Sequence, residues 1–311
     1  MDWRIKASIQ KVLSSTRLGD KMNHSLITFN KDYHLNVVIY QCHEALRKFE
    51  LTRMNLRYDS VALEIGTGYS LISAITLALL GFSKVITVDI TFDLRFKTFR
   101  KQIVHFNDVQ IAALSKHSRF SKLELKEKVQ MIWKTSSLEE LLKLLNIVYI
   151  APYSFDDIEK HSIHFDYITS QVVLEHVPPQ SLETLFKKTK QWLRPEGFGV
   201  HTINFIDHFA NPGIFQDKSI SEFNFLKFSD KYWKFWAGNS IAYTNRLSHQ
   251  YYLQLCKILG IEVVDFIGEN YRDKVKLEPT SIHEDVIKKY DELTNVEQLM
   301  KYQRGTLIIK A

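Results

Sequence analysis

A strand, a glycine turn, a helix and a second strand follow one another early in the chain, and this run constrains the fold most. Val61–Ile65 is a short, mostly apolar run typical of a buried strand, and Gly66–Gly68 is a tight turn after it. The apolar stretch 71–80 has the length of a helix and stops at Gly81, where a left-handed C-cap residue is favoured. Lys84–Val88 is again strand-like. Two strands joined through a helix pair in parallel, so the run predicts a parallel sheet.

The same alternation continues to the end of the chain, which predicts an α/β fold with helices on both faces of the sheet. Further helices are predicted at about 93–117, at 136–145 after a capping box of Ser136 with Glu139, at 181–193, at 248–259, and after Thr294 with Glu297. Further strands are predicted at 147–150, 165–170, 198–203, 261–266 and 306–309. We divide the chain into a helical extension (1–56), a cofactor-binding core (57–205), an aromatic-rich insertion or lid (206–247) and a C-terminal part that completes the sheet (248–311).

Composition narrows the class of protein. The chain has 311 residues, of which 45% are hydrophobic and 24% charged. This is the amino-acid composition of an ordinary globular protein, and it excludes disordered, collagenous and coiled-coil proteins. Two cysteines cannot build a disulfide framework, and the first residues lack the apolar segment of a secretory signal, so we expect a cytoplasmic protein. The uncharged stretch 65–83 has an apolar part of only ten residues, 71–80, too short for a membrane span, and we therefore predict no transmembrane segment.

The glycine turn predicts a nucleotide site. Gly66 and Gly68 lie between a strand and a helix N-terminus, where backbone can approach a ligand closely. Asp89 ends the next strand 21 residues after Gly68, a spacing that suits a carboxylate accepting hydrogen bonds from two ribose hydroxyls. Leu71 stands where a dinucleotide site has its third glycine, and the carboxylate of Glu64 would repel a pyrophosphate. A ligand with an ammonium and a sulfonium group suits the turn better, which favours S-adenosylmethionine over NAD.

Four motifs in this order resemble class I S-adenosylmethionine-dependent methyltransferases. They are Leu63–Gly68, Val88-Asp89, Phe165–Val177 (FDYITSQVVLEHV) and Trp192–Phe198 (WLRPEGF). The resemblance implies a Rossmann-like sheet of about seven mostly parallel strands with an antiparallel last strand. It also implies a cofactor site that consists of Glu64, Gly66, Thr67 and Gly68 on the methionine side, Asp89 and Ile90 at the ribose, and Ser170 and Gln171 at the sulfonium. The chain departs from the family in two places. Ser70 stands in place of a common glycine, and no clear acidic residue follows the third strand, so no adenine contact is assigned.

The candidate catalytic residues follow the fifth predicted strand. In an open α/β sheet, ligands bind outside the carboxyl ends of the strands, where His201, Asp207 and His208 are expected. His208 is the candidate base for an acceptor hydroxyl. The same three residues could instead ligate a divalent metal, which we do not favour, or His201 could face the core and His208 be a structural loop residue. Glu175-His176 either positions the cofactor or only fixes its loop.

The segment that follows is dense in aromatic residues. Residues 205–236 hold ten of them, which could form a lid, a platform for sugar rings or a satellite core under a long insertion. Asn245 and Arg246 offer hydrogen-bond donors to a polar or acidic substrate. The stretch from Asp207 to Leu247 is also similar, more loosely, to methyltransferases of bacterial surface-polysaccharide loci. This similarity makes the hydroxyl of a glycan or a related small molecule the first hypothesis for the acceptor.

A basic window offers an alternative partner. Between Arg95 and Lys134 there are ten Lys and Arg against three acidic residues, a surplus of seven in a chain whose net charge is +6. The acids are interleaved with the bases and no nucleic-acid motif accompanies them, so we favour a solvated surface over a nucleic-acid site. A nucleic-acid or protein methyltransferase and a catalytically silent binding module remain as alternative functions, and the sequence sets no oligomeric state.

Overall fold

The structure is a computed structural model that describes residues 1–15, 32–211, 216–239, 241–271, 275–290, 293 and 295–311. Its seven-stranded sheet has the order β3-β2-β1-β4-β5-β7-β6. Strand β1 pairs in parallel with both β2 and β4, and β2 pairs in parallel with β3. The predicted α/β fold is thereby confirmed. The strands are β1 Val61–Ile65, β2 Lys84–Val88, β3 Ile147–Ile150, β4 Phe165–Gln171, β5 Leu193–Asn204, β6 Glu262–Glu269 and β7 Arg304–Lys310.

Twelve α-helices are assigned among the described residues, and short 3₁₀ turns occur at Leu174–His176, Asn224–Lys227, Pro279–Ser281 and Val296–Met300. None of the described helices combines the length and the apolar character that crossing a membrane requires. The helices are α1 Trp3–Ser14, α2 Tyr33–Thr52, α3 Ile72–Leu80, α4 Phe96–Ile103, α5 Asp108–Leu114, α6 Lys122–Lys134, α7 Leu138–Leu144, α8 Phe155–Glu159, α9 Pro179–Trp192, α10 Asp230–Ala237, α11 His249–Leu259 and α12 Glu284–Ile287.

The predicted strand–turn–helix–strand run forms as expected. Strands β1 and β2 have the predicted bounds, and every residue of α3 is buried, as expected for a helix inside the protein. The helix ends at Gly81 in the left-handed conformation, with φ of 110°. A side chain there would be strained, and its Cβ would also come within 2.9 Å of Arg119.

Several predicted helix and strand boundaries are wrong. The single helix expected at 93–117 is two helices, because the backbone leaves α4 after Ile103 and Asn107 caps α5 by accepting a hydrogen bond from the Val109 N–H. The N-cap of α7 is Ser137 rather than Ser136. The fifth strand begins at Leu193, earlier than predicted. Thr294 lies outside the described residues, and Asn295 caps the 3₁₀ turn that follows.

The contacts divide the chain into two compact units. The first unit comprises Met1–Ile27, Val172–Lys187 and His201–Leu307, and the second comprises Thr28–Gln171, Lys188–Val200 and Ile308–Ala311. Strands β1 to β4 belong to the second unit together with helices α2 to α8. The segment boundaries at 56, 205 and 247 stay predictions.

The first unit has an aromatic core around α1. The indole of Trp3 is 3% exposed, and its ring lies 5.4–5.8 Å, between centroids, from Phe209, Phe228, Trp233 and Trp236. Of the ten aromatic residues in 205–236, only Tyr232 and Phe235 are exposed among those described, and Phe215 lies outside the described residues. The segment therefore packs as a core with α1, which favours the satellite-core alternative over an aromatic platform.

Candidate cofactor and acceptor sites

The glycine turn of the second unit is shaped by two residues with positive φ. Gly66 has φ of 87° and Gly68 has φ of 58°, and both lie between the end of β1 and the start of α3. The N–H groups of Gly66 and Thr67 donate to the carbonyl of Val88, which ties the turn to the end of β2. A Cβ atom built on Gly68 would meet nothing within 4 Å. At Gly68 the turn therefore faces open space, in which a ligand can contact the backbone.

Asp89 lies directly after β2 and reaches this turn. Its Oδ2 accepts a hydrogen bond of 2.7 Å from the N–H of Gly68, so the acid and the glycine predicted to share one ligand are in contact. Carboxylate oxygens have two lone pairs each, which leaves acceptor capacity for hydroxyl groups. The next side chain, Ile90, is apolar and 76% exposed. Asp89 and Ile90 together offer hydrogen-bond acceptors beside an apolar surface, which fits a nucleoside.

Glu64 and Thr67 are engaged inside the protein. Glu64 is 5% exposed, and its carboxylate accepts a 2.7 Å hydrogen bond from the hydroxyl of Thr87. That hydroxyl also lies 2.6 Å from the Thr67 hydroxyl. Burial raises the pKa of Glu64, while hydrogen bonds from Ser73 and Thr87 and the charge of Lys48 lower it. The side chain therefore braces the turn, and its predicted contact with the cofactor's ammonium group stays a prediction.

The end of β4 is held by two residues of α2. The Nζ of Lys48 donates a 2.9 Å hydrogen bond to the carbonyl of Ser170, and Nε2 of Gln171 donates to the hydroxyl of Tyr40 at 2.7 Å. Lys48 is 1% exposed; burial lowers the pKa of its ammonium, and the nearby Glu64 and Glu44 raise it. The sequence motifs missed Lys48 and Tyr40, because nothing in the spacing of α2 distinguishes a site residue from a core residue.

The loop after β5 belongs to the first unit and is fixed by Asp207. This carboxylate is fully buried; it accepts hydrogen bonds from the Phe209 N–H at 2.8 Å and from the Asn224 amide at 3.3 Å. Burial raises the pKa of Asp207 to about 7. Since these bonds hold the turn around His208, Asp207 is positioned to orient the loop rather than to contact a substrate.

His208 lies with two residues of the turn after β4. One ligand-type atom from each of Glu175, His176 and His208 lies within 4.8 Å of the others, and the rings of His176 and His208 are 4.9 Å apart between centroids. Burial, which outweighs the nearby backbone N–H groups of Glu175 and Asn204, raises the pKa of Glu175 to about 8. Burial, followed by the charges of His176 and Lys6, lowers the pKa of His208 to about 3. We name these three residues the histidine–carboxylate cluster.

The comparison with protein families identifies the chain. A family model described as a methyltransferase domain matches residues 38–264. The chain belongs to this methyltransferase family. It is a class I enzyme and uses S-adenosylmethionine as its methyl donor. No curated protein sequence matches it.

Solved structures with similar folds come from several organisms. A cyclopropane-fatty-acyl-phospholipid synthase-like protein from Lactobacillus casei is 13% identical, with a TM-score of 0.47, over 89% of this chain and 92% of that chain. An S-adenosylmethionine-dependent methyltransferase from Archaeoglobus fulgidus is 14% identical, with a TM-score of 0.40, over 86% and 91%. One from Mesorhizobium loti is 14% identical, with a TM-score of 0.39, over 85% and 97%. At these identities they say nothing about the acceptor.

The cofactor of this methyltransferase fits the glycine turn. The open space at Gly68, the carboxylate of Asp89 and the exposed Ile90 offer what a nucleoside needs: backbone at close approach, acceptors for hydroxyl groups and an apolar contact. Ser170 is fully buried and Gln171 half-buried at the end of β4, where the motif predicts the sulfonium.

Three of the predicted acceptor-site residues of the methyltransferase are buried in its first unit. His201 is 1% exposed in β5, with its ring 5.9 Å from that of Phe186. Arg246 is 3% exposed, and its guanidinium donates to the carbonyls of Phe225 and Phe228 and to Asp230. Asn245 donates to the carbonyls on both sides of Glu175-His176. The side chains of Asn245 and Arg246 are therefore engaged inside the first unit, and their predicted contacts with a substrate stay predictions. His201 faces the core.

Proposed function

We propose that this methyltransferase transfers the methyl group to a hydroxyl oxygen of a sugar, a glycan or a related small molecule. The observation that carries the proposal is the pairing of His176 and His208, with rings 4.9 Å apart, in the loops that follow β4 and β5. A hydroxyl acceptor must lose a proton during methyl transfer, whereas an amine in its free-base form attacks without that help. Two histidines at the carboxyl ends of the strands therefore favour a hydroxyl acceptor.

The cofactor-binding half of the proposal assigns each predicted residue a part. Gly66 and Gly68 present backbone to the methionine side, Asp89 accepts hydrogen bonds from the ribose, and Ile90 packs on the nucleoside. Ser170 and Gln171 border the sulfonium, and Glu64 with Thr67 keeps the turn in shape. When bound, S-adenosylmethionine supplies a methyl group that is activated by its positive sulfur. The protein holds the acceptor oxygen in line with that carbon, and such positioning supplies much of the rate.

In the acceptor half, loss of the acceptor's proton depends on His208. Asp207 supports this role because its hydrogen bond to the Phe209 N–H fixes the turn that presents the imidazole. His201 supports the end of β5 from within the core. Asn245 supports the partner loop, since it bonds the carbonyls of Leu174 and Val177.

The choice of a sugar-type acceptor rests on the similarity of residues 207–247 to methyltransferases of surface-polysaccharide loci. We place the reaction in the cytoplasm, because both cysteines, Cys42 and Cys256, are buried free thiols, which suits a reducing compartment.

The test is the identity of the product. The purified enzyme is incubated with S-adenosylmethionine bearing a deuterated methyl group and with a panel of nucleotide sugars, oligosaccharides, polyols, amines, RNA and peptides. Mass spectrometry should find the label on a hydroxyl of a sugar or polyol, and S-adenosylhomocysteine should form in equal amount. Label on amines, RNA or peptides alone contradicts the proposal. The Asp89→Ala variant serves as the control for cofactor-dependent labelling.

A further inference from the structure

The histidine–carboxylate cluster has a buried carboxylate that makes no hydrogen bond of normal geometry within the described part of the chain. Glu175 is 3% exposed, and neither Oε1 nor Oε2 has a hydrogen-bond partner among the described residues. Other buried carboxylates of the same unit are paired: Glu222 accepts from the Val275 N–H at 2.8 Å, and Asp207 accepts from the Phe209 N–H. Burying a carboxylate without a partner is costly, so Glu175 is in a place that suits a positive ligand.

The two imidazoles of the cluster present nitrogen lone pairs. Nδ1 of His176 lies 2.8 Å from the carbonyl of Tyr243, and since a carbonyl only accepts, Nδ1 carries the proton and Nε2 has a lone pair. A histidine that donates one ring N–H to a backbone carbonyl has the orientation typical of a metal ligand. Nε2 of His208 is also buried and has no hydrogen-bond partner among the described residues.

The backbone around Glu175 and His176 is fixed. The N–H of Asn245 donates to the carbonyl of Glu175 at 2.8 Å, and its amide group donates to Leu174 and Val177 at 2.8 and 3.0 Å. Asp207 fixes the opposite turn. The cluster reaches the surface, because His176 is exposed while His208 is half-buried. A ligand could therefore enter a site whose three side chains are already held in place.

We propose that Glu175, His176 and His208 bind one divalent transition-metal cation of the Zn²⁺, Mn²⁺ or Co²⁺ type. Two imidazole nitrogens and one carboxylate are the donors of open catalytic metal sites, whereas Ca²⁺ and Mg²⁺ prefer oxygen ligands alone. Three protein ligands leave coordination positions open. The ligand atoms, all within 4.8 Å of one another, need only small side-chain shifts to surround one ion.

This inference deepens the proposed function and rests on it for its role in the reaction. A hydroxyl oxygen bound at an open position of the cation would lose its proton to a solvent water more easily, because the positive charge stabilises the alkoxide. His208 then contributes to proton loss as a ligand. Binding of the cation itself can be measured without any acceptor, so it does not depend on the proposed acceptor being right.

The experiment measures cation binding to the full chain after chelator treatment and dialysis. Isothermal titration calorimetry with Zn²⁺ and with Mn²⁺, and absorption spectroscopy with Co²⁺, report affinity, stoichiometry and coordination. The ligand variants are Glu175→Gln and His208→Ala. The matched controls are Glu222→Gln, a buried carboxylate of the same unit, and His161→Ala, an exposed histidine outside the cluster. Circular dichroism and S-adenosylhomocysteine binding establish that each variant is folded.

We expect one cation per chain, with affinity lowered about 100-fold or more in both ligand variants and unchanged in both controls. Absence of a stoichiometric site, or a site that only one of the two ligand variants weakens, overturns the inference. Because nothing in this assay depends on turnover, an enzyme that binds the cation but methylates only amines refutes the proposed function and leaves the metal site. An enzyme that methylates a hydroxyl and binds no cation does the reverse.

Discussion

At the scale of single residues, the acid after β2 is the most direct test of the cofactor site. We expect Asp89→Ala to weaken binding of S-adenosylhomocysteine by about 1–3 kcal/mol, because charge-assisted hydrogen bonds to the ribose are lost. Calorimetric titration measures the change. Asp93→Ala is the control: Asp93 is an acid of the same loop that accepts from the Thr91 hydroxyl. Equal affinities for the Asp89 variant and the parent enzyme would remove this residue from the cofactor site.

His208 carries the second residue-scale prediction. If loss of the acceptor's proton depends on it, His208→Ala should lower turnover by about 10²–10⁴-fold while leaving affinity for S-adenosylhomocysteine nearly unchanged. The assay follows S-adenosylhomocysteine formation with the true acceptor, and His161→Ala serves as the control. A variant that keeps near-full turnover would show that positioning alone accounts for the chemistry.

A third residue gives a pH dependence of stability. His249 is 3% exposed, it stacks on Phe266 at 5.3 Å, and its Nε2 accepts from the Gln250 amide, which requires the neutral ring. Burial, followed by the charge of Lys301, lowers the pKa of His249 to about 4 in the folded chain. Between about pH 6.5 and pH 4 the unfolded chain therefore binds a proton that the folded chain does not.

The free energy of unfolding should accordingly fall as the pH is lowered through this window, with a slope of at most about 1.4 kcal/mol per pH unit from this group. Urea denaturation of the parent chain and of His249→Phe across the window measures the contribution as the difference between the two curves. Phenylalanine keeps the aromatic packing and cannot titrate. Parallel curves would show that His249 titrates normally in the folded state.

The residue scale also shows what sequence patterns can and cannot identify. Asp89 was predicted from its spacing, and it lies in contact with Gly68, because strand length and turn geometry fix the distance between those positions. Its contact with the ribose stays a prediction. Asn245 and Arg246 were predicted as substrate contacts from their donor chemistry, and in the structure both side chains are buried and donate to backbone carbonyls. Donor chemistry does not distinguish an exposed side chain from a buried one, because burial depends on residues far away in the chain.

At the scale of elements, strands with apolar runs between clear turns were predicted best. Strands β1, β2 and β3 have the predicted bounds, since a strand inside a parallel sheet is a short, mostly apolar run that ends at clear turn residues. The helix predicted at 93–117 was wrong because apolar periodicity continues across residues 104–107, where the backbone leaves the helix. The signal that was missed is Asn107 with Gln110, a capping box in the middle of the run.

The helix break gives the element-scale prediction. Asn107 accepts from the Val109 N–H at 2.9 Å, and the side chain of Gln110 accepts from the Asn107 N–H at 3.0 Å. Asn107→Ala should lower the free energy of unfolding by about 0.5–2 kcal/mol, because the Val109 N–H at the start of α5 loses its fixed acceptor. Urea denaturation measures the change. The control is Asn107→Ser, which keeps a capping oxygen. Its free energy of unfolding should stay within a few tenths of a kcal/mol of the parent's, about the spread among good N-cap residues. A Ser variant as unstable as the Ala variant would argue against the cap.

At the scale of the whole molecule, the fold class follows from the sequence and the division into units does not. Alternation of strands and helices predicts a mostly parallel sheet from local patterns. The first unit, in contrast, joins α1 to residues more than two hundred positions later, through Trp3 and the aromatic core of 206–300. Such long-range packing has no local periodicity, so the first 56 residues were predicted as one helical extension although residues 1–27 and 28–56 belong to different units.

Charge is the other property of the whole molecule, and it concentrates in one window of the second unit. All ten Lys and Arg between Arg95 and Lys134 are exposed or half-buried, and some are already engaged: Lys126 pairs with Asp108 at 3.0 Å, and Lys128 lies 4.2 Å over the ring of Phe120. A basic surface that bound nucleic acid through phosphates would lose affinity steeply with salt. The interleaved acids and the internal pairs instead favour a solvated surface.

We therefore expect the triple variant Lys122→Gln, Lys126→Gln, Lys128→Gln to keep the parent's turnover and cofactor affinity. Fluorescence anisotropy with labelled RNA and DNA should detect only weak binding to the parent chain. The dissociation constant at physiological salt should lie at about 10⁻⁴–10⁻⁶ M or be weaker, as for non-specific association. The opposite result would be tight binding that weakens by orders of magnitude with added salt and is abolished in the triple variant. That result would make a nucleic acid the acceptor and displace the sugar hydroxyl, because a surface of ten basic side chains would then serve to hold the substrate.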